Sequence, residues 1–187
     1  MSYAQQIRID SLKTLLEKDK EDTSKVGHLN MIAQLISPNN PDKAIELSNE
    51  ALKLADKIRW EIGIYQSMYQ IGVAHFNAHN SNEAINFFFK ALQGYEKLEK
   101  QNDKNIISIV KEKKAKIFGN IGSAYQDLGN FPLALKFQFK AVESFIQNND
   151  SNFLAGTYGN IGILCREQGN YPLSLDYYFK ALDIKEK

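Results

Sequence analysis

The sequence predicts an all-α fold of about nine antiparallel helices, arranged as repeated helical hairpins. Three observations predict it. The stretch GNIGSAYQDLGNFPLALKFQFKA, residues 119–141, recurs forty residues later as GNIGILCREQGNYPLSLDYYFKA, residues 159–181. Pairs of small residues seven positions apart recur along the chain, and apolar stripes with the period of an α-helix precede them. Internal repetition of this length is typical of stacked helical units.

The small residues form a ladder through the chain. Each pair is separated by seven positions, which corresponds to two helical turns on one face. The pairs are Ala4 and Ser11, Ala44 and Ala51, Ala84 and Ala91, Ala134 and Ala141, and Ser174 and Ala181. Because small side chains let another helix approach closely, each pair marks a helix that packs tightly against its neighbour.

The first helix of each hairpin is predicted by an apolar stripe upstream of the ladder. Its members are spaced three, one and three residues apart, which follows one face of a helix with 3.6 residues per turn. The four stripes are His28, Met31, Ile32 and Leu35; Met68, Ile71, Gly72 and His75; Phe118, Ile121, Gly122 and Tyr125; and Tyr158, Ile161, Gly162 and Cys165.

Short turn signals separate the two helices of a hairpin. Gly129-Asn130 and Gly169-Asn170 supply a left-handed residue that ends the first helix and a cap for the second. His79 and Asn39 take the place of the glycine in two hairpins, and both residue types tolerate a positive φ. Prolines then fall in the first turn of a second helix, where a missing N–H costs nothing: Pro41, Pro132 and Pro172.

One step of the ladder is fifty residues rather than forty. The ten extra residues lie within residues 95–116, where apolar residues recur at helical spacing, among them Ile106, Ile107, Ile109 and Val110. A disordered linker does not carry so many β-branched apolar residues. We therefore expect two helices lengthened together, each by more than one turn.

These motifs resemble the tetratricopeptide repeat (TPR), a unit of two antiparallel helices with Leu-Gly, Tyr, Gly and Ala at fixed positions. The resemblance implies a single array over residues 1–187, folded as a right-handed superhelix, or α-solenoid. Its expected parts are a lone leading helix at residues 3–20 and four units at residues 26–58, 66–102, 116–148 and 156–187. The forty-residue period resembles the long-helix TPRs of kinesin light chains and of the input regions of bacterial signalling proteins.

Composition excludes several classes of protein. The formal net charge is +1, so no overall electrostatic attraction to nucleic acid or anionic lipid is expected. The single cysteine, Cys165, excludes an internal disulfide and is typical of a reducing compartment. No apolar run approaches the roughly 20 residues that span a bilayer, and no signal peptide is visible. We expect a cytoplasmic protein without membrane insertion.

No arrangement of residues typical of an enzyme is visible, and no metal or cofactor is implied. His75 and His79 lie four apart, as metal ligands on a helix do, but they occupy a packing position and a turn position. Cys165 lies on the apolar stripe, which indicates a buried hydrophobic residue rather than a nucleophile. The basic run KEKKAK, residues 111–116, contains Glu112 four positions before Lys116, and indicates a solvated surface rather than a nucleic-acid site.

Stacked hairpins create a concave surface lined by their first helices, and four carboxamides recur there at one position: Asn30, Gln70, Asn120 and Asn160. In long-helix TPRs an asparagine at this place hydrogen-bonds the backbone of a bound peptide. A carboxamide has both a donor and an acceptor, so it can pair with a peptide group whatever the side chain. Alternatively, each carboxamide bonds a neighbouring helix or the preceding repeat.

Around the carboxamides the predicted groove changes character along the chain. Its apolar half includes Leu29, Ala33, Ile36, Tyr69, Val73 and Phe76, and its small and charged half includes Lys116, Gly119, Ser123, Gln126, Asp127, Gly159, Ile163, Arg166 and Glu167. Only Lys116 and Arg166 are basic, which argues against a carboxylate-clamping groove. The expected ligand is a protein or an extended peptide segment.

The resemblance implies a non-catalytic scaffold that serves as the sensory or interaction region of a larger bacterial signalling protein. The alternative is a structural module that self-associates, or that spaces or dimerises attached domains. The last helix carries apolar residues such as Leu175, Tyr178 and Leu182 that predict a covering partner. We therefore expect either further protein beyond Lys187 or a homodimer formed through this helix.

Overall fold

A computed structural model describes residues 3–101 and 103–186. Those residues form nine α-helices and no β-strand, which confirms the predicted all-α helical-repeat fold. In chain order they are α1 (Tyr3–Leu16), α2 (Thr23–Ile36), α3 (Pro41–Lys57), α4 (Glu61–Asn77), α5 (Ser81–Glu99), α6 (Lys104–Asp127), α7 (Phe131–Gln147), α8 (Ser151–Glu167) and α9 (Tyr171–Lys185). None of them is both long enough and apolar enough to span a membrane.

Successive helices pair as hairpins, with α2, α4, α6 and α8 as first helices and α3, α5, α7 and α9 as second helices. The contacts divide the chain into two compact units, residues 1–94 and 95–187, with the boundary inside α5. In the first unit α2 packs against both α3 and α4, and in the second unit α6 packs against α7 and α8. First helices of neighbouring hairpins therefore lie side by side within each unit.

The turns within hairpins follow the predicted chemistry at three of four places. Gly129 and Gly169 have φ of 71° and 74°, and His79 has φ of 59°. Asn39 was expected to be left-handed as well, and that expectation is wrong. The carbonyl of Ile36 accepts hydrogen bonds from the amides of both Asn39 and Asn40, which closes this turn without a left-handed residue.

Side-chain caps begin most of the helices. The predicted asparagine caps are confirmed: the side chains of Asn130 and Asn170 accept from the amides at the third helical position of α7 and α9. Asn40 caps α3 in the same way, and a proline lies in the first turn of all three helices. Aspartates cap three first helices in the same way, namely Asp22, Asp103 and Asp150. Each cap satisfies an amide that the helix leaves without an internal partner.

The ten extra residues between the second and third hairpins are distributed unequally. Compared with α3, α7 and their following connections, α5 extends two residues further and the connection to α6 is one residue longer. The remaining seven residues extend the start of α6, which has 24 residues against 17 in α8. The expected lengthening of both helices by more than a turn is therefore wrong for α5. Asp103 caps α6 and fixes its early start.

The core of each unit consists of small clusters shared by neighbouring helices. In the first unit one cluster contains Val26, Leu29, Ala51, Leu54 and Ala55, and another contains Ala33, Ala44 and Ala74. In the second unit the clusters are Ala115, Ala141 and Phe145, and Val142, Ile161 and Cys165. The ladder alanines from Ala44 to Ala141 are fully buried, as predicted, whereas Ala4 and Ser11 on α1 are exposed.

Candidate functional site

In the second unit, α6 and α8 bring the predicted groove residues of two hairpins together. The Gln126 side chain donates from Nε2 to Oε2 of Glu167 at 3.1 Å, which joins the two helices near their ends. Near the opposite end, the Lys116 ammonium lies 4.4 Å from the centre of the Phe153 ring. Equivalent positions on α6 and α8 are forty residues apart, which is the length of one repeat.

Asn120 and Asn160 lie at the same position on α6 and α8, and both are half-buried. Asn160 lines a recess of about 560 Å³, together with Gly159, Ile163 and Arg166 from α8 and residues of α9. Arg166 is exposed at one end of α8. The recess therefore combines a carboxamide, a cation and an open backbone stretch on one helix.

Two other predicted groove residues are engaged within the unit. The Ser123 hydroxyl donates to the Gly119 carbonyl at 3.2 Å and accepts from Nε2 of Gln138 at 3.3 Å. The Lys116 ammonium pairs with Oε1 of Glu112 at 2.7 Å, the four-residue pair expected from the sequence, and this pairing lowers the pKa of the Glu112 carboxyl. Both side chains are half-buried and face protein partners.

In the first unit the carboxamides lie deeper. Asn30 is fully buried, and its Nδ2 donates to the hydroxyl of Ser67 on α4 at 2.9 Å. Ser67 in turn donates to the Gly63 carbonyl at 2.8 Å. Gln70 is also buried. Asn30 thus links α2 to α4, which is the second of the two roles considered for this position.

The apolar half of the predicted groove is partly core. Leu29 and Ala33 were expected to line the concavity, but both are buried in the core clusters of the first unit, so that expectation is wrong. Tyr69, Val73 and Phe76 are half-buried on α4, and the Tyr69 ring lies 5.9 Å from that of Phe88 on α5. Leu29 and Ala33 lie beside the apolar stripe of α2, and residues of α3 and α4 cover them as well.

The candidates for metal binding or catalysis, His75, His79 and Cys165, lie at the packing and turn positions that the sequence predicted. His75 stacks on Phe87 with ring centres 5.6 Å apart, and His79 occupies the left-handed turn position. Cys165 is buried, and burial raises the pKa of its thiol, which keeps it protonated. Across residues 3–101 and 103–186, no three His, Cys, Asp or Glu side chains lie close enough to hold a metal ion together.

Sequence reasoning missed the contribution of α9 to the recess. Tyr178, Ala181, Leu182 and Lys185 line it opposite α8. Tyr178 and Leu182 were identified as unsatisfied apolar residues, but they were not connected with the groove residues of α8. The forty-residue repeat could have indicated it. Ala181 and Leu182 lie forty residues after Ala141 and Val142, and residues of α8 pack against those two.

Comparison of sequences identifies one family. The family model described as "Tetratricopeptide repeat" matches residues 114–187, which contain the third and fourth hairpins. No curated protein matches the chain in sequence.

Comparison of structures extends the similarity to nearly the whole chain. BtubC (BKLC) from P. vanneervenii has a TM-score of 0.75 at 20% identity, with 99% of this chain and 75% of that chain covered. A Rap protein complexed with Competence and Sporulation Factor has a TM-score of 0.83 at 16% identity, covering 97% of this chain and 49% of that one. A STAND protein with a tetratricopeptide repeat sensor, from Pyrococcus horikoshii, has a TM-score of 0.73 at 17% identity, covering 96% and 26%.

This chain therefore spans three quarters of BtubC, about half of the Rap protein and about a quarter of the STAND protein. Identities below 25% establish a shared fold. The repeat motifs, the match of the third and fourth hairpins to the family model and the similarity of the remaining helices to solved structures lead to one conclusion: residues 114–187 match the tetratricopeptide repeat, and the chain has the all-α helical-repeat fold of such proteins.

Proposed function

We propose that the chain is a non-catalytic scaffold that binds an extended peptide or protein segment along the open positions of its first helices. The observation that carries the proposal is the pair Asn120 and Asn160, which occupy one position on adjacent helices and are only half-buried. Two carboxamides in this arrangement suit peptide groups about three residues apart in an extended ligand, because packed helices lie about 8–10 Å apart and each carboxamide has a donor and an acceptor. Arg166 and the open backbone at Gly159 extend the same surface.

The proposal includes a role as the sensory or interaction region of a larger bacterial signalling protein in the cytoplasm. Two structurally similar proteins support it. One is a Rap protein in complex with Competence and Sporulation Factor, and the other is a signal-transduction ATPase whose repeats are named as a sensor. The net charge of +1 makes a protein a better partner than nucleic acid. In the first unit, the half-buried Tyr69, Val73 and Phe76 are the residues we assign to a similar surface, whereas Gln70 is buried.

The test compares two kinds of carboxamide in one protein. A peptide selected against the chain from a random display library serves as the probe, and calorimetry measures its affinity. In Asn120→Ala/Asn160→Ala, each lost hydrogen bond should cost about 0.5–1.5 kcal/mol of binding, or about 5- to 150-fold for the pair. The melting temperature should change much less than the affinity, because alanine is the better helix former and offsets part of any interaction lost within the protein.

The matched control is Asn30→Ala. This change removes the bond to Ser67 inside the first unit, so it should lower the free energy of unfolding by about 1–3 kcal/mol and leave the affinity unchanged. If instead the double variant loses stability and keeps its affinity, Asn120 and Asn160 are structural and the proposed peptide site is wrong.

A second candidate function is self-association through α9, and a specific observation favours it. Leu175, Phe179 and Leu182 are 55%, 59% and 47% exposed on this helix. A homodimer that covers them would space or join attached domains. Light scattering across a concentration series measures the molar mass, and a dimer that Leu175→Asp converts to monomer would support this role.

A further inference from the structure

The first unit holds a cavity that the proposed peptide site does not use. It has a volume of about 410 Å³ and lies between α1, α2 and α3. Its interior is apolar: Ile9 and Ile32 are buried, and Leu16, Ile36 and Leu47 are half-buried. Binding sites for small molecules have volumes of about 300–1,000 Å³ and mostly apolar linings. The cavity therefore has the size and the lining of a small-molecule site.

The cavity lies where the second unit has two aromatic rings. The residues in the places of Ile9 and Leu47, 130 positions later, are Phe139 on α7 and Tyr177 on α9. Their ring centres lie 6.2 Å apart, so the two rings meet across the space between those helices. Ile9 and Leu47 are aliphatic and smaller. Because protein interiors are otherwise closely packed, this loss of side-chain volume at two facing positions leaves space for a ligand.

The mouth of the cavity is on a side of α1 that a further helix of the repeat would not cover. In the third hairpin, α6 packs on the small-residue face of α7, where a Cβ added at Gly119 would lie 3.9 Å from that of Ala141. A helix packed in the same way on α1 would contact Ala4 and Ser11, which do not line the cavity. The α7 counterparts of the four cavity residues of α1 remain exposed: Lys136, Phe139, Glu143 and Ile146.

Hydrogen-bond donors surround the mouth of the cavity. Lys13 lies on the α1 side and Lys43 on the α3 side, and both are exposed. Asn40 accepts from the Lys43 amide through its side-chain Oδ1, which leaves its Nδ2 as a third donor. Lys43 also pairs with Glu46 at 2.5 Å, whereas Lys13 makes no salt bridge with any residue in 3–101 or 103–186. A carboxylate, which only accepts hydrogen bonds, complements this mouth.

We propose that this cavity binds a free medium-chain fatty acid. The alkyl chain lies on Ile9, Ile32 and Leu47, and the carboxylate accepts from Lys13 and Lys43 at the mouth. Transfer of the alkyl chain from water supplies most of the affinity, because exposed ion pairs contribute little. The lysines therefore act mainly on selectivity, since they favour an anionic head group over a cationic one.

The length of the cavity limits the length of the chain. On α1 its lining extends from Gln6 to Leu16, about 15 Å at the rise of an α-helix. An extended dodecanoate chain has about this length, so a longer chain leaves methylene groups in solvent. The site shares no residue with the surface assigned to the peptide, and it therefore goes beyond the proposed function.

Calorimetry of the full chain with saturated fatty acids, each below its critical micelle concentration, measures the binding. The affinity should rise about fourfold with each added methylene from octanoate to dodecanoate, and it should level off for tetradecanoate. Dodecyltrimethylammonium has an alkyl chain of the same length and a cationic head, and it should bind about 3- to 10-fold more weakly than dodecanoate.

Two variants test the interior and the mouth separately. Leu47→Phe introduces the residue type that Phe87 and Phe137 supply at the same place, so it should fill the cavity and weaken dodecanoate binding at least about tenfold. Circular dichroism checks that this variant is folded. Lys13→Glu, at an exposed position, should weaken binding about 3- to 10-fold because attraction becomes repulsion. Its matched control is Lys53→Glu, forty residues later on α3, which should leave the affinity unchanged.

Three results would overturn the proposal: no saturable binding of dodecanoate, binding that Leu47→Phe and Lys13→Glu both leave intact, or equal affinities for dodecanoate and dodecyltrimethylammonium. Sedimentation with phosphatidylglycerol vesicles distinguishes a free fatty acid from a membrane lipid. Sedimentation that Leu47→Phe abolishes, without dodecanoate binding in solution, would assign the cavity to a membrane lipid instead. Asn120→Ala/Asn160→Ala should keep its affinity for dodecanoate, so this site and the peptide site can fail independently.

Discussion

At the scale of single residues, the hairpins depend on a match between a small and a large side chain. The glycines of the Ile-Gly pairs face large side chains of the following helix, and an added Cβ would lie 2.7–2.9 Å from them; the pairs are Gly72 with Phe88, Gly122 with Gln138, and Gly162 with Tyr178. The first hairpin reverses the match, with Ile32 and the buried Ser48 at these two positions. The glycine in the motif is thus a consequence of the residue opposite.

This match makes Gly72→Ala destabilising although alanine favours helices. Its Cβ would lie 2.7 Å from the Phe88 ring, so overpacking should cost about 1–3 kcal/mol, only partly offset by a gain of about 1 kcal/mol in helix propensity. The control is Gly156→Ala, which meets no atom within 4 Å and should stabilise by about 0.5–1 kcal/mol. Urea unfolding followed by circular dichroism measures both. Equal effects of the two changes would contradict the steric explanation.

At the scale of helices, the ends of α3 and α7 differ from those of α6 and α8. The first helices α6 and α8 are followed by left-handed Gly129 and Gly169, whereas the second helices α3 and α7 are followed by left-handed Arg59 and Asn149, with φ of 56° and 54°. A non-glycine residue in this conformation has an energetic cost, because its Cβ approaches the backbone. The left-handed conformation of Arg59 could not be predicted from its residue type, since arginine has no preference for positive φ.

Arg59→Gly should therefore stabilise the first unit by about 0.5–1 kcal/mol, because glycine adopts this conformation without the steric cost. The reverse change at an equivalent place, Gly129→Ala, should destabilise by about 1 kcal/mol. Differential scanning calorimetry should show a higher melting temperature for the first variant and a lower one for the second. A lower melting temperature for Arg59→Gly would mean that the Arg59 side chain contributes more than the strain costs.

At the scale of the whole molecule, the protein consists of two compact units whose clusters are shared between neighbouring helices. Val142 from α7 and Ile161 and Cys165 from α8 form one such cluster in the second unit. In arrays of this kind each hairpin is stabilised by its neighbours, so a buried group in a shared cluster becomes accessible only when part of the array opens.

Cys165 provides a direct measure of this opening. In the native protein at pH 8, its reaction with a disulfide reagent should be at least about 100-fold slower than in 6 M guanidinium chloride, because several kcal/mol are needed to open the cluster. Burial also raises the pKa of the thiol, so less thiolate is present and the native rate should increase as the pH rises toward that pKa. A native rate close to the unfolded rate would show that the second unit opens freely.

The sequence by itself determined the number and order of the helices, the turns at Gly129 and Gly169, and the asparagine caps, because these depend on local conformation and on spacing within one helix. Only the tertiary structure decided which of the recurrent carboxamides is accessible. Asn30 and Asn160 hold the same place in the repeat, yet Asn30 is buried against Ser67 while Asn160 borders a recess. Burial depends on the side chains that neighbouring helices bring: Val142 is 8% exposed where α8 packs against it, whereas Leu182, forty residues later on α9, is 47% exposed.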